Sequence, residues 1–154
     1  LACEVAGGRV GPWDQGSPTQ RAAERAYKRA GVTANDLDIL ELHDATAYAE
    51  ILHLEELGVC LNGEAARWSA EGHSRLDGEL PVNTSGGLIS KGHPLGASGI
   101  AMLGELASQL RGEAGARQAS PQRGLPRLAL AHNGGGLLGF QEASTVVTLI
   151  AAPH

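Results

Sequence analysis

An α/β fold is predicted by three features of the sequence. Short apolar runs of strand character alternate with stretches of helical periodicity. Glycine and proline punctuate the junctions between them. Hydrophobic residues make up 42 % of the chain and charged residues 19 %, a balance that suits a packed core. At 154 residues the length is that of one domain, expected to span residues 1–154. Glycine fills 22 positions while aromatics account for 3 %, so close backbone approach is expected to shape the interior more than ring stacking. Leu1 rather than Met opens the chain, which is expected to be a fragment or a product with something upstream removed.

The elements follow in order. Leu1–Val5 reads as a short strand stopped by Gly7-Gly8 and Gly11-Pro12. Ser17-Pro18 marks a helix start, with Ser as N-cap and Pro at the first helical position. Ala22, Ala23, Ala26, Tyr27 and Ala30 then recur at helical spacing, and Gly31 stops the helix. Leu37–Leu42 is a strand, and a helix from Thr46 to Leu57 closes at Gly58. Residues 60–80 are polar and glycine-bearing, a connection with one short helix; Leu80–Asn83 is a brief strand. Residues 85–99 form a Gly-rich loop that runs into a helix over Ala97–Arg111, rich in small residues and expected to be buried on all sides. Arg127–Ala131 and Ser144–Ile150 are strands, expected to be joined by a Gly-rich turn from His132 to Gly139.

Several functions are disfavoured at once. Seventeen acidic residues against twelve basic ones give a net charge of −5, and no Lys/Arg cluster interleaves with aromatics, so nucleic acid is not an expected partner. The longest apolar stretch falls far short of a bilayer span, so no membrane partner is expected either. Cys3 and Cys60, with no CxxC pair, do not make a disulfide framework or a Cys-rich zinc site, and no metal is expected. A cytoplasmic, reducing setting is the expectation, since the ending carries no SKL-type address. Neither a phosphate-cradling loop nor a dinucleotide fingerprint is present: Gly-Lys-[Ser/Thr] is missing, and Gly7-Gly8 does not extend to the required pattern.

Chemistry concentrates at three of the six histidines. His43 ends one predicted strand, His132 ends another, and His93 lies in the Gly-rich loop before the small-residue helix. Ligand sites in open α/β sheets lie beyond the carboxyl ends of strands, so these three rings are expected to converge on one cleft. The plainer alternative is that each caps a loop or fills the core. His53, inside a helix, and His154, at the terminus, are expected to be structural or solvated. Gly134-Gly135-Gly136 could present backbone N–H groups to an oxyanion or simply form a hairpin turn.

Val82-Asn83-Thr84-Ser85-Gly86-Gly87, followed by Gly92-His93-Pro94-Leu95-Gly96-Ala97-Ser98-Gly99, resembles the C-terminal half of the thiolase superfamily. Together with His43-Asp44-Ala45-Thr46, Leu110-Arg111-Gly112-Glu113-Ala114-Gly115 and His132-Asn133, the pattern is most similar to the branch holding the thiolase domain of sterol carrier protein X. The resemblance implies a thiolase-like half-domain: a mixed sheet flanked by helices, with one buried small-residue helix sandwiched between sheets. It implies an acyltransferase acting on acyl-CoA thioesters, with coenzyme A thioester as substrate and no covalently bound cofactor. The cysteine nucleophile belongs to an N-terminal half outside these residues. His93 would activate that thiolate, His43 would fix a water or carbonyl in an oxyanion hole, and the Gly134 N–H would receive the acyl oxygen. Asn83, Ser85 and Gly86 would lie against the substrate.

Ala45 stands where the resemblance places an acid/base cysteine, which leaves His132 as the substitute and carbon–carbon chemistry in question. Homo-oligomerisation is a further implication. Two alternatives accompany this reading: a non-catalytic thiolase-fold scaffold, and a retro-aldol lyase with an OB-fold partner. Histidines at positions 43 and 93, where such lyases are expected to carry tyrosines, count against the lyase.

Overall fold

The computed structural model describes residues 2–7, 16–120, 124–138 and 141–153. The break expected over residues 8–12, Gly139 and His154 lie outside them. In chain order the elements are β1 (Ala2–Gly7), α1 (Pro18–Ala30), β2 (Ile39–Glu41), α2 (Ala47–Glu56), α3 (Ala65–Ala70), α4 (Gly87–Lys91), α5 (Ser98–Arg111), β3 (Leu128–Leu138) and β4 (Gln141–Ala151). The four strands form one mixed sheet in the order β1-β4-β3-β2. β4 pairs antiparallel with β1 and with β3, while β2 runs parallel to β3. The mixed α/β class expected from the sequence is the one observed, and no helix among the described residues is long and apolar enough to cross a membrane.

Side chains alternate across a strand, and this sheet uses the alternation to build two cores. Leu40 and Leu42 at β2, Leu130 of β3, and Val147 and Leu149 of β4 pack with Ala22, Ala23 and Ala26 of α1 and with Leu54 and Leu57 around α2. Ile39, Ala129 and Ala131, on the opposite face, pack with Met102, Leu106 and Leu110 of α5. The alanine stripe of α1 lets that helix lie close to the sheet. Ser17 and Gln20 form a reciprocal capping box at its start, and Gly31 ends it at a left-handed φ of 70°.

Three expectations are corrected. The expected strand Leu80–Asn83 is reduced to a single parallel bridge between Val82 and Leu40, because Asn83 turns to φ 53° and its side-chain Oδ1 accepts from the Leu42 N–H at 2.7 Å. The expected turn from His132 to Gly139 is instead the outer half of β3, which stays in register with β4 through Leu138↔Gln141. Glycine signals a turn there, but the cross-strand ladder carries the strand through Gly134 and Gly135 and resumes at Leu137, past Gly136 at a left-handed φ of 67°. The small-residue helix α5 is buried on one side only: Ile100 is 70 % exposed, and Ala101 and Gly104 also face outward. The sheet of this chain covers one face of α5 and leaves the other bare.

Within the Gly-rich segment, α4 is a one-turn helix tied to the end of β2. Asp44 accepts from the Leu88 N–H at 2.7 Å, and a Cβ at Gly87 would fall on the Asp44 carboxylate. Gly87 also adopts φ 64°, so two independent constraints call for glycine there. Gly87→Ala is therefore expected to lower the unfolding free energy by about 3 kcal/mol. Denaturant unfolding measures this; a loss below about 1 kcal/mol contradicts the assignment.

Candidate active site

The end of β2 carries the residues that organise the site. Glu41 is fully buried and accepts from Ser85 Oγ at 2.6 Å, the Ser85 N–H at 3.0 Å and Lys91 Nζ at 3.3 Å. A buried carboxylate is costly without partners, and this set supplies hydrogen bonds and an opposite charge. Asn83 bridges the Leu42 N–H and Glu50, donating to Glu50 Oε2 at 2.9 Å. Gly86, at φ 92°, caps α4. Asn83, Ser85 and Gly86 thus hold the β2–α4 connection together, and none of the three lines the cleft beside them. Their polar atoms are engaged by backbone and by Glu41 and Glu50.

That cleft has a volume of about 420 Å³ and opens past the carboxyl end of β2. Thr19, His43, Ala45, His53, His93, Gly134 and Glu142 are among its lining residues. The His43 and His93 rings stand edge to face, with centroids 4.7 Å apart. His43 Nδ1 lies 3.0 Å from Asn133 Oδ1, an acceptor, so Nδ1 carries the proton and donates. His93 Nδ1 lies 2.8 Å from Ser98 Oγ, and the Ser98 hydroxyl donates onward to the Pro94 carbonyl at 3.3 Å. His43 is thus held as the Nδ1–H tautomer, and Nδ1 of His93 is taken up by Ser98, so each ring turns Nε2 to a further partner.

His132 does not join them. Residues 132 and 133 are neighbours in β3 and point to opposite faces of the sheet. Asn133 takes the α5 face and reaches His43, whereas His132 is fully buried on the α1 face, its Nε2 3.1 Å from Thr19 Oγ1 and 3.4 Å from Glu142 Oε2. Its ring stacks obliquely on His53 at 4.2 Å. Burial holds His132 below the ordinary imidazole range and so neutral, although Glu142 beside it pulls the other way. The expected meeting of three imidazoles resolves into a pair in the cleft and a third ring behind its wall.

Gly134 does line the cleft, but a Cβ there would fall on the Glu142 carboxylate. Burial pushes Glu142 up, while its contact with His132, the nearby imidazoles and a 2.7 Å hydrogen bond from Thr145 draw it down harder, to about 2. An ionised carboxylate over Gly134 opposes a second negative charge at its N–H. Cys60, for its part, packs against the α1-side core, and burial together with Glu55, Glu64 and Glu79 pushes its thiol up to about 11. A thiol so placed stays protonated and is no nucleophile.

Sequence reasoning missed Asn133, His53 and Glu142. Asn133 was legible as the residue after His132, had the strand been continued through the glycines. His53 and Glu142 left no signal, since they are separated by 89 positions and meet only through the sheet.

Residues 14–149 match a family model described as Thiolase C-terminal domain-like. Sterol carrier protein 2 of Homo sapiens is 43 % identical over 136 residues, covering 82 % of this chain and 24 % of that protein. An acetyl-CoA acetyltransferase of Methanothermobacter thermautotrophicus is 46 % identical over 121 residues, covering 79 % of this chain and 30 % of that protein. The benzoylsuccinyl-CoA thiolase subunit BbsB of Thauera aromatica is 37 % identical over 118 residues, covering 77 % of this chain and 30 % of that subunit. Among solved structures, a chain of the Ltp2-ChsH2(DUF35) aldolase superposes with a TM-score of 0.77 at 23 % identity, covering 98 % of this chain and 38 % of that one, which shows a shared fold. The chain spans 24 % to 30 % of the length of these sequence relatives.

The tautomer of His43 can be read directly. Nitrogen–proton correlation spectra are expected to show Nδ1–H and a bare Nε2 for this ring. Asn133→Leu is expected to release it into a mixture of tautomers. A wild-type His43 ring protonated at Nε2 alone would contradict the geometry.

Proposed function

Because the chain belongs to the family of thiolase C-terminal domains, we propose that it supplies the histidine side of an acyl-transfer site working on acyl-CoA thioesters, with the cysteine nucleophile coming from an N-terminal thiolase half outside these 154 residues. The observation that carries this reading is the His93 ring, braced at Nδ1 by Ser98 and open at Nε2 on the cleft. A neutral imidazole so held accepts a thiol proton and returns it to the leaving group, which is general base and acid in turn. His93 precedes the 14-residue helix α5, whose N-terminal N–H groups favour an anion such as a thiolate.

His43 stands 4.7 Å from it, where its Nε2 can order a water or a carbonyl oxygen. Gly134 keeps its proposed part as a donor to the acyl oxygen only where a proton or a cation offsets Glu142. Ala45 brings a methyl group to the cleft lining, so the reading is acyl transfer through a thioester rather than carbon–carbon bond chemistry. The bare outer face of α5, with Leu95 at 86 % exposure and Ile89 at 62 % beside it, supports docking of a second half over this surface.

Joined to a nucleophile-bearing N-terminal half, the protein is expected to release CoA from acyl-CoA and to hold the acyl group on cysteine, visible as a mass increment. His93→Ala is expected to slow CoA release by about 10²–10⁴-fold. Unchanged turnover in that variant contradicts the assignment; no acylation by the joined wild type favours a scaffold. Release of a ketone from a β-hydroxy thioester would move the reading to a lyase.

A further inference from the structure

Behind the paired rings, the same cleft wall holds a group of side chains that the acyl-transfer reading does not use. His53 comes from α2, His132 from β3 and Glu142 from β4, and one ligating atom from each lies within 4.8 Å of the other two. We propose that His53, His132 and Glu142 form a binding site for one divalent transition-metal cation of the zinc type. This goes beyond the acyl-transfer reading and does not depend on it.

The spacing leaves room for an ion. His53 Nε2 lies 3.5 Å from Glu142 Oε1, and His132 Nε2 lies 3.4 Å from Glu142 Oε2, so each ring faces a different oxygen of the carboxylate. Charge-assisted imidazole–carboxylate hydrogen bonds close to about 2.7–2.9 Å. Donor atoms around a tetrahedral cation with bonds of about 2.0–2.2 Å stand roughly 3.4 Å apart, so the three donors, within 4.8 Å of one another, need only close in slightly on an ion. Two imidazoles with one carboxylate select zinc, cobalt, nickel or iron over magnesium and calcium, which take oxygen ligands.

Outer partners orient two of the three ligands: Glu56 Oε2 lies 3.1 Å from His53 Nδ1, and Thr145 Oγ1 donates to Glu142 Oε2 at 2.7 Å. A carboxylate on the far nitrogen of a metal-binding histidine is a recurrent support.

Room for the carboxylate exists because Gly134 has no side chain to fill it. His53, Glu142 and Thr19 line the cleft, so the remaining coordination position opens onto it, where water or a substrate oxygen would bind. A cation there also cancels the negative charge beside Gly134.

Titration of the metal-free protein with Co²⁺ tests this. One equivalent is expected to bind with visible d–d absorption, to be displaced by Zn²⁺, and to ignore excess Mg²⁺. His53→Gln and Glu142→Gln, both close in size to the native side chains, are each expected to lose the signal while keeping the wild-type circular dichroism. Glu56→Gln is expected to weaken binding by about 10–100-fold. Absence of saturable binding overturns the proposal. So does binding that persists in both ligand variants, which marks an ion held elsewhere, or equal competition by Mg²⁺.

Discussion

The strict alternation of side chains along β3 governs the whole site. Ala131 and Asn133 face α5, and Leu130 and His132 face α1, so adjacent residues of one short segment belong to two separate side-chain clusters. On the α5 face, Asn133 fixes His43, which in turn packs on His93. On the α1 face, His132 meets His53, Thr19 and Glu142. A slip of one residue in the β3–β4 pairing would exchange these sets and bury Asn133 among alanines of α1. The long ladder from Leu128↔Ala151 to Leu138↔Gln141 protects against that slip.

The carboxylates around the cleft histidines are engaged elsewhere. Glu41, the carboxylate nearest the end of β2, is neutralised by Lys91 and hydrogen-bonded by Ser85, and Asp44 is occupied by the Leu88 N–H. Neither is left to draw a proton onto His43 or His93 through a direct hydrogen bond. The glycines of the central segment serve this arrangement locally: Gly87 makes way for Asp44, and Gly134 makes way for Glu142.

Much of the fold could be read from the sequence because its signals are local. The Ser17-Pro18 cap, the alanine stripe of α1, the Thr46 cap of α2 and the glycine stops at 31 and 112 each depend on neighbours within a few residues. His43 and His93 were legible as a pair because both sit next to element ends. What escaped depends on tertiary structure. Gly134–Gly136 looks like a turn until β4 is laid beside it, and α5 looks buried all round until the sheet is seen to cover one side. The His53–His132–Glu142 group has no spacing that a sequence could show.

The central claim is that His93 Nε2 receives the proton of a cysteine brought to this cleft from another part of the protein. A crystal structure of this domain joined to a nucleophile-bearing N-terminal thiolase half measures it most directly. A cysteine Sγ is expected within hydrogen-bond reach of His93 Nε2, with His43 facing the same space. A nucleophile docked against another surface, or a His93 ring turned away from it, would contradict the account.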